Sequence, residues 1–284
     1  MKLLGLGDNV TDAYLFRGEL YPGGNAANVS VLSRRAGAAA SGYLGVVADD
    51  AAGRHFLSAL ASEGVDTSRV RVATGTSACN YITLDDQGDR VFSGSNGSET
   101  VQNLLAPVLT DRDRAYAAGF DVIHTSIHSR TDPVVLGGLG RRADLSMDFS
   151  SDGFTHDNIA RLAPLLRYAF FSAGGRGEEE VRDWAAFAAG CGIEQVVFTM
   201  GVRGCCGVCR GTFWQGRAYP VEAVDTLGAG DAFIAAFLTA AADGADAPAA
   251  ADRAARFAAD CCLHYGAFGH PLSLEASGLF PQTP

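Results

Sequence analysis

At 284 residues, with 48% hydrophobic and 19% charged positions, the chain is long enough for one large α/β domain or two small ones and is excluded from the disordered class. A formal charge of −10 excludes bulk electrostatic attraction to nucleic acid or an anionic membrane, so any phosphate site has to be local. Lys2 is the sole lysine, which excludes both a P-loop and a protein kinase, since each needs a lysine against its nucleotide.

Leu3–Gly7 is predicted as the first strand, followed by the polar residues Asp8, Asn9 and Asp12 at its carboxyl end, where open α/β sheets bind ligands. Ala13 to Pro22 reads as strand. Gly23 and Gly24 allow backbone to approach a ligand, and Asn25 and Asn28, three apart at a helix start, point to one side. Helix capping by Asn25 and a solvated Asp12 is an equally weighted alternative. Tyr43–Val47 follows as a strand, then a segment of helical period through Phe56, Leu57 and Leu60 that ends at Gly64. From Ser77 to Ser95 the pattern changes: the apolar runs around Asn80–Leu84 and Arg90–Phe92 flank the turn-forming set Asp85–Asp89, which predicts a β-hairpin.

Val122–Thr125, Leu145–Phe149, Tyr168–Ser172 and Val196–Met200 are further strands, and Val181, Trp184 and Phe187 mark a helix ending near Gly190. This alternation predicts an α/β fold, a doubly wound, mainly parallel sheet with helices on both faces and right-handed crossovers. His124 and His128 end a strand on the ligand side, although a lone polar residue in a loop is the plainer reading. Thr199-Met200-Gly201-Val202-Arg203-Gly204 is a glycine-rich loop after a strand, able to wrap a phosphate through its N–H groups. Cys205-Cys206-Gly207-Val208-Cys209 has a C-x-x-C spacing without the second pair that a structural zinc site needs, and reads as strand. Seven cysteines without framework spacing, and no apolar window of about 18 residues, lead us to expect a reduced cytoplasmic protein. Phe268 to Pro284 is expected to be a surface tail.

The run Ala232–Ala242 is apolar and rich in helix formers, which places the helix N-terminus at Gly228 to Asp231. N–H groups there lack partners and with the helix dipole make an anion site, with Asp231 beside it as a carboxylate in reach of a substrate hydroxyl. A turn with an N-capping aspartate is the bland alternative.

Asp225-Thr226-Leu227-Gly228-Ala229-Gly230-Asp231-Ala232-Phe233 resembles the signature of the ribokinase-like (PfkB) family of small-molecule kinases. Asp12, Gly23, Gly24 and Asn28 match, in order, the family's aspartate and Gly-Gly-x-x-x-Asn segment, which hold sugar hydroxyls. Thr199, Gly201 and Gly204 match its loop over the nucleotide phosphates, with Arg203 a candidate for added charge there and a surface arginine the plainer reading. Gly7–Asp12, Pro22–Ala26 with Asn25, Gly45–Gly53, Gly64–Ser68, Asp89–Phe92 and Asp148–Ser150 are similar to the fructoselysine 6-kinase branch, and the similarity runs to about Gly266.

The resemblance implies a three-layer αβα core, residues 1–12, 23–76 and 96–284, and a small β lid, 13–22 and 77–95, with a homodimer through the lid as one form. It implies ATP and Mg2+ as cofactors and Asp231 as general base toward a primary hydroxyl, with N–H groups of Gly228, Ala229 and Gly230 stabilising the transferring phosphoryl group. Asp225 either shapes the site or helps bind a monovalent cation such as K+. Where relatives carry Asn-x-x-Glu, this chain reads Ser172 to Glu180, which leaves Glu178 or Glu179 for an acidic role toward Mg2+ through water; complementing the helix dipole is the preferred reading for at least two of the three glutamates. The acceptor implied by the branch is the 6-hydroxyl of fructoselysine or a related fructosamine, with Asp8, Asn9 and Asn25 near it, Arg90 pairing with a carboxylate, and Asp85, Asp86 or Glu19 receiving an amino group. Ribokinase, fructokinase, nucleoside kinase and a catalytically inactive sugar- or nucleotide-binding regulator are the alternatives.

Overall fold

The computed structural model describes residues 1–85 and 90–280, without the side chain of Arg90. In chain order the strands are β1 (Lys2–Leu6), β2 (Val10–Tyr14), β3 (Glu19–Gly23), β4 (Ala40–Leu44), β5 (Val46–Ala48), β6 (Val65–Asp66), β7 (Arg71–Ala73) and β8 (Cys79–Leu84). There follow β9 (Arg90–Ser95), β10 (Val122–Ser126), β11 (Asp144–Asp148), β12 (Tyr168–Ser172), β13 (Gln195–Thr199), β14 (Cys205–Cys209), β15 (Thr212–Gly216) and β16 (Leu272–Ser273).

Nine strands form the central sheet in the order β15-β14-β13-β12-β11-β10-β1-β4-β6. The pairs from β13 through to β6 are parallel, and β14 and β15 close one edge as an antiparallel meander. Parallel strands need crossovers, and the helices that supply them cover both faces. One apolar layer uses Val29 and Leu32 of the helix Asn25–Arg35, Phe233 and Phe237 of Ala229–Ala242, and Ala250 and Ala254 of Ala247–Cys261. The other uses Leu136, Ile159, Val181 and Ala185 from helices on the opposite face. The fold is therefore the three-layer α/β architecture expected.

A second sheet, β16-β3-β2-β8-β9, stands apart from the first. The predicted hairpin is its β8–β9 arm, with Leu84 opposite Arg90; residues 86–89 of its turn lie outside the described residues. Two expectations change. Tyr43–Val47 is not one strand: it divides at Gly45 between β4 in the central sheet and β5, which pairs with β7. Only glycine fits at the division, because a Cβ on Gly45 would lie 2.2 Å from the Tyr43 hydroxyl, which donates to the Gly7 carbonyl at 2.7 Å. Nor is the segment after Phe268 simply a surface tail. Leu272 and Ser273 pair with β3, and Leu272, Leu274, Leu279 and Phe280 pack on buried Ala13, Leu20 and Cys79, so apolar burial draws the segment into the second sheet.

At the carboxyl ends of β11 to β13 three rings stack across adjacent strands: Phe149 on Phe171 at 4.8 Å and Phe171 on Phe198 at 4.6 Å, with Phe154 edge-on to Phe171 at 5.1 Å. Phe171 is the centre of this stack and is 1% exposed. Phe171→Ala is expected to lower unfolding stability by about 3–5 kcal/mol. Urea denaturation followed by circular dichroism measures this; a loss below about 1 kcal/mol would show that the stack collapses freely into the void.

Candidate active site

The turn after β1, the helix Asn25–Arg35 and the helix Ala229–Ala242 converge at the carboxyl ends of β1, β10 and β11. Two clefts open there. The larger, about 590 Å3, is lined by Asp8, Asn9, Asp12, Asn25, Asn28 and Asp231 among others. The smaller, about 350 Å3, is lined by Thr199, Gly201, Gly204, Ala229 and Gly230 with the apolar side chains of Phe233, Ala255 and Cys262. The N-terminus of the helix Ala229–Ala242 separates them, with Gly228 and Asp231 on one side and Ala229 and Gly230 on the other.

Gly228 has φ 84°, and a Cβ on it would lie 2.4 Å from the Cβ of Ala267, so backbone and space both require glycine. The N–H of Ala229 donates to the Thr226 carbonyl at 3.2 Å, whereas those of Gly230 and Asp231 have no acceptor among the described residues. A Cβ on Gly230 would meet nothing within 4 Å, because that face is open cleft. Two free N–H groups at the positive end of a dipole thus point to where an anion can sit.

Asp231 does not cap its helix. Its Oδ1 accepts from Asn25 Nδ2 at 2.7 Å and its Oδ2 from Asn28 Nδ2 at 2.6 Å. Burial pushes its pKa up to about 7, against the two amide hydrogen bonds and helped by the charges of Asp8 and Asp12. Asn25 is the hub: Nδ2 also donates to Asp148 Oδ2 at 2.9 Å, and the backbone N–H donates to Asp8 Oδ2 at 2.7 Å. The two carboxylates on Nδ2 fix the orientation of its amide, which turns Oδ1 to His124 Nε2 at 2.8 Å, while His124 Nδ1 meets Ser146 Oγ at 2.9 Å. Burial pushes His124 down to about 3, so the ring is neutral with a single N–H; that proton is on Nε2 and donates to Asn25, while Nδ1 accepts from the serine. His124 is therefore a buried strand residue that fixes an amide, neither a substrate contact nor a loop residue.

Asp8 accepts from the hydroxyls of Ser126 at 2.8 Å and Ser129 at 2.5 Å, tying the turn after β1 to the end of β10. Asn9 lines the cleft with its amide already engaged: Nδ2 donates to the Tyr43 hydroxyl and the Val46 carbonyl, and Oδ1 accepts from Gln102. Asp12 sits on β2, 6% exposed, where Oδ1 accepts from Asn80 at 3.0 Å. Burial, opposed by that bond and aided by Asp225, raises its pKa to about 6. The crowding at Gly23 and Gly24 is internal: Cβ atoms there would lie 2.3 Å from Asp12 Oδ2 and 2.5 Å from Asn9 Cα. Asn28 Oδ1 is buried without a partner among the described residues, an acceptor left for a donor that enters the cleft.

Several other expected residues are placed elsewhere or otherwise engaged. Arg203 lines neither cleft; its Nη2 donates to the carbonyls of Ala173, Gly174 and Arg176 and so braces the loop before the helix Glu178–Gly190. Glu178 and Glu179 are exposed at the start of that helix and line neither cleft. Asp225 is 1% exposed, its Oδ2 accepting from the Tyr14 hydroxyl at 2.5 Å and the Gly266 N–H at 2.9 Å, and its Oδ1 from the Leu227 N–H at 3.1 Å. Glu19 is engaged by Arg17 and the Tyr21 hydroxyl. Asp85 is exposed and outside the lining of the clefts, Asp86 lies outside the described residues, and so does the side chain of Arg90. Among the described residues no group of three or more histidine, cysteine, aspartate or glutamate side chains is arranged to hold a metal, and no helix is long and apolar enough to cross a membrane. Sequence reasoning missed Asp148 as a site residue; a carboxylate ending a central parallel strand was the available signal.

Residues 4–137 and 168–272 match the family model described as pfkB family carbohydrate kinase. Fructosamine kinase FrlD of Bacillus subtilis is 39% identical over 287 residues, which covers 100% of this chain and 99% of that protein. Fructoselysine 6-kinase of Escherichia coli is 33% identical over 272 residues, 94% of this chain and 100% of that protein. The structure of Arabidopsis thaliana ribokinase complexed with ribose and ATP superposes with a TM-score of 0.78 over 97% of both chains at 18% identity, a likeness of fold.

Asp148, like Asp231, is raised to about 7, by burial first and then by Asp231, Asp8 and Asp152, against a bond from the Ser150 N–H. A carboxyl group with a folded pKa above its unfolded one keeps its proton in the folded state while the unfolded chain releases it. Stability is therefore lost as pH rises from about 4 through about 7. Asp148→Asn removes one such group and relieves the other, so its unfolding free energy is expected to fall less between pH 5 and pH 8 than that of the unaltered chain. Urea unfolding at the two pH values checks this, and an equal fall in both proteins would mean that Asp148 ionises freely.

Proposed function

Given that this chain belongs to the pfkB family of carbohydrate kinases, we propose that it phosphorylates the 6-hydroxyl of a fructosamine, with fructoselysine the leading example. It is an ATP-dependent kinase of a sugar-like substrate. The observation that carries the assignment of roles is the position of Asp231, lining the larger cleft at the helix N-terminus that separates the two, beside free N–H groups, and held by amides with no cationic side chain among the described residues paired to it. The names of the two curated relatives support the choice of acceptor.

In this reading the acceptor lies in the larger cleft and MgATP in the smaller, its adenine end against the apolar wall of Phe233, Ala255 and Cys262. The acceptor oxygen attacks the γ-phosphorus, its proton passes to the Asp231 carboxylate, and the bond from phosphorus to the β–γ bridging oxygen breaks to release ADP. The N–H groups of Gly230 and Asp231 face the charge on the transferring group. Magnesium bound with the nucleotide would neutralise phosphate charge. Of the two roles open to Asp225, its three accepted hydrogen bonds favour shaping the turn that leads to Gly228. The second sheet, whose Asp12 and Asn80 face the larger cleft, acts as the lid that excludes water.

A base must be ionised to accept the proton, so kcat/KM is expected to rise with pH and level off above about 7, the value to which Asp231 is raised. Asp231→Asn is expected to lower kcat by about 10²- to 10⁴-fold, with the acceptor Kd by calorimetry changed only a few-fold. Retention of a tenth of the wild-type turnover would remove Asp231 from the role of base. Mass spectrometry of ATP-dependent products across fructosamines, ribose, fructose and nucleosides tests the acceptor; efficient turnover of ribose or a nucleoside with none of the fructosamines would overturn it.

A further inference from the structure

The charge in the larger cleft is one-sided. Asp8, Asp12 and Asp231 line it, and Arg130 is the one lysine or arginine among the described side chains that do so. An acceptor anion facing those carboxylates alone would be repelled, so an anionic group of a bound molecule is best tolerated against Arg130. At about 590 Å3 the cleft has the size of sites for extended small molecules, with room beyond a sugar ring.

Arg130 is held in place by its surroundings. It follows the short 3-10 turn Ile127–Ser129 and has φ 53° and ψ 28°, the left-handed region that costs a side chain of this kind roughly 1–2 kcal/mol. Such a backbone persists only where neighbours over-determine it. Here Ser129 bonds Asp8 through its hydroxyl, and Arg130 Nη1 donates to the carbonyl of Asn103, another residue of the cleft wall. The other guanidinium N–H groups have no acceptor among the described residues, and the side chain is exposed. A planar, anchored fork with donors to spare matches a carboxylate.

We propose that Arg130 binds the carboxylate of the amino-acid part of the acceptor and thereby selects sugar adducts of amino acids over sugar adducts of plain amines. This rests on the fructosamine reading. The sugar then lies toward Asp231, the ammonium of the adduct toward the acidic wall, and the carboxylate at the rim. Arg130 takes the part that the sequence suggested for Arg90.

The test pairs the fructose adduct of lysine with that of cadaverine, which is lysine without its carboxyl group, in initial-rate assays with MgATP. The wild-type chain is expected to favour the lysine adduct by about ten- to a hundredfold in kcat/KM. Arg130→Ala should collapse that ratio toward one, chiefly through KM of the lysine adduct, and Arg130→Lys should restore part of it. An equal loss on both adducts, or an unchanged ratio, overturns the proposal. So does a wild-type preference for fructose 1-phosphate that Arg130→Ala abolishes, because the anion recognised would then be a phosphate. Turnover of free sugars with neither adduct accepted would instead defeat the acceptor assignment, and the carboxylate role with it.

Discussion

One amide group governs the site. Asn25 Nδ2 spans Asp231 and Asp148, two carboxylates that repel each other, while Asn28 secures the second oxygen of Asp231. Had the partner been lysine or arginine, the opposite charge would have drawn the carboxylate pKa downward and left a base too weak for an alcohol. Amides orient the carboxylate with far less effect on its proton affinity. Burial and the surrounding negative charge then win, and the group stays poised near neutrality. The orientation of Asn25 depends in turn on His124, whose ring must be neutral to accept from Ser146 while donating to the amide.

The rest of the architecture serves that arrangement. Parallel strands end together, so turns and helix starts far apart in sequence meet on one edge of the sheet. Residues 7–12, 23–28, 124–129, 148 and 228–231 thereby become neighbours. The helix Ala229–Ala242 is buried along one continuous run, Ala232–Ala240, and is wedged between two other helices, so its N-terminus is rigidly placed where the clefts meet. With a single lysine in the chain, the proposed nucleotide cleft offers backbone N–H groups rather than ammonium groups to a phosphate.

The parallel sheet, the helix beginning near Gly228 and the presence of Asp231, Asp12 and Asn28 were legible in the sequence because each rests on a local pattern: short apolar strands, helical period, glycine followed by carboxylate. Contacts across the sheet were not. Nothing near Asn25 in the sequence announces His124 or Asp148, 99 and 123 residues away. For Arg203, in a glycine loop, the sequence left open a phosphate role beside the plainer one of a surface arginine; it is exposed and bonded to three carbonyls of another loop. The same limit hid the division at Gly45, because the pairing of Val46–Ala48 with Arg71–Ala73 leaves no local pattern in the sequence. The final segment resembled a tail because its prolines and short apolar runs lack a period, and only the uncovered edge of β3 gives them a place.

That edge has a consequence for biosynthesis. The second sheet joins Val10–Tyr14, Glu19–Gly23, Cys79–Leu84 and Arg90–Ser95 to Leu272–Ser273, so its last strand leaves the ribosome long after the others. Until then β3 presents unpaired N–H and C=O groups beside an apolar patch of Ala13, Leu20 and Cys79, the kind of border on which chains add to one another. Leu272 to Phe280 thus act as an internal seal, late in arrival relative to the strands they join, that turns a sticky margin into a finished one.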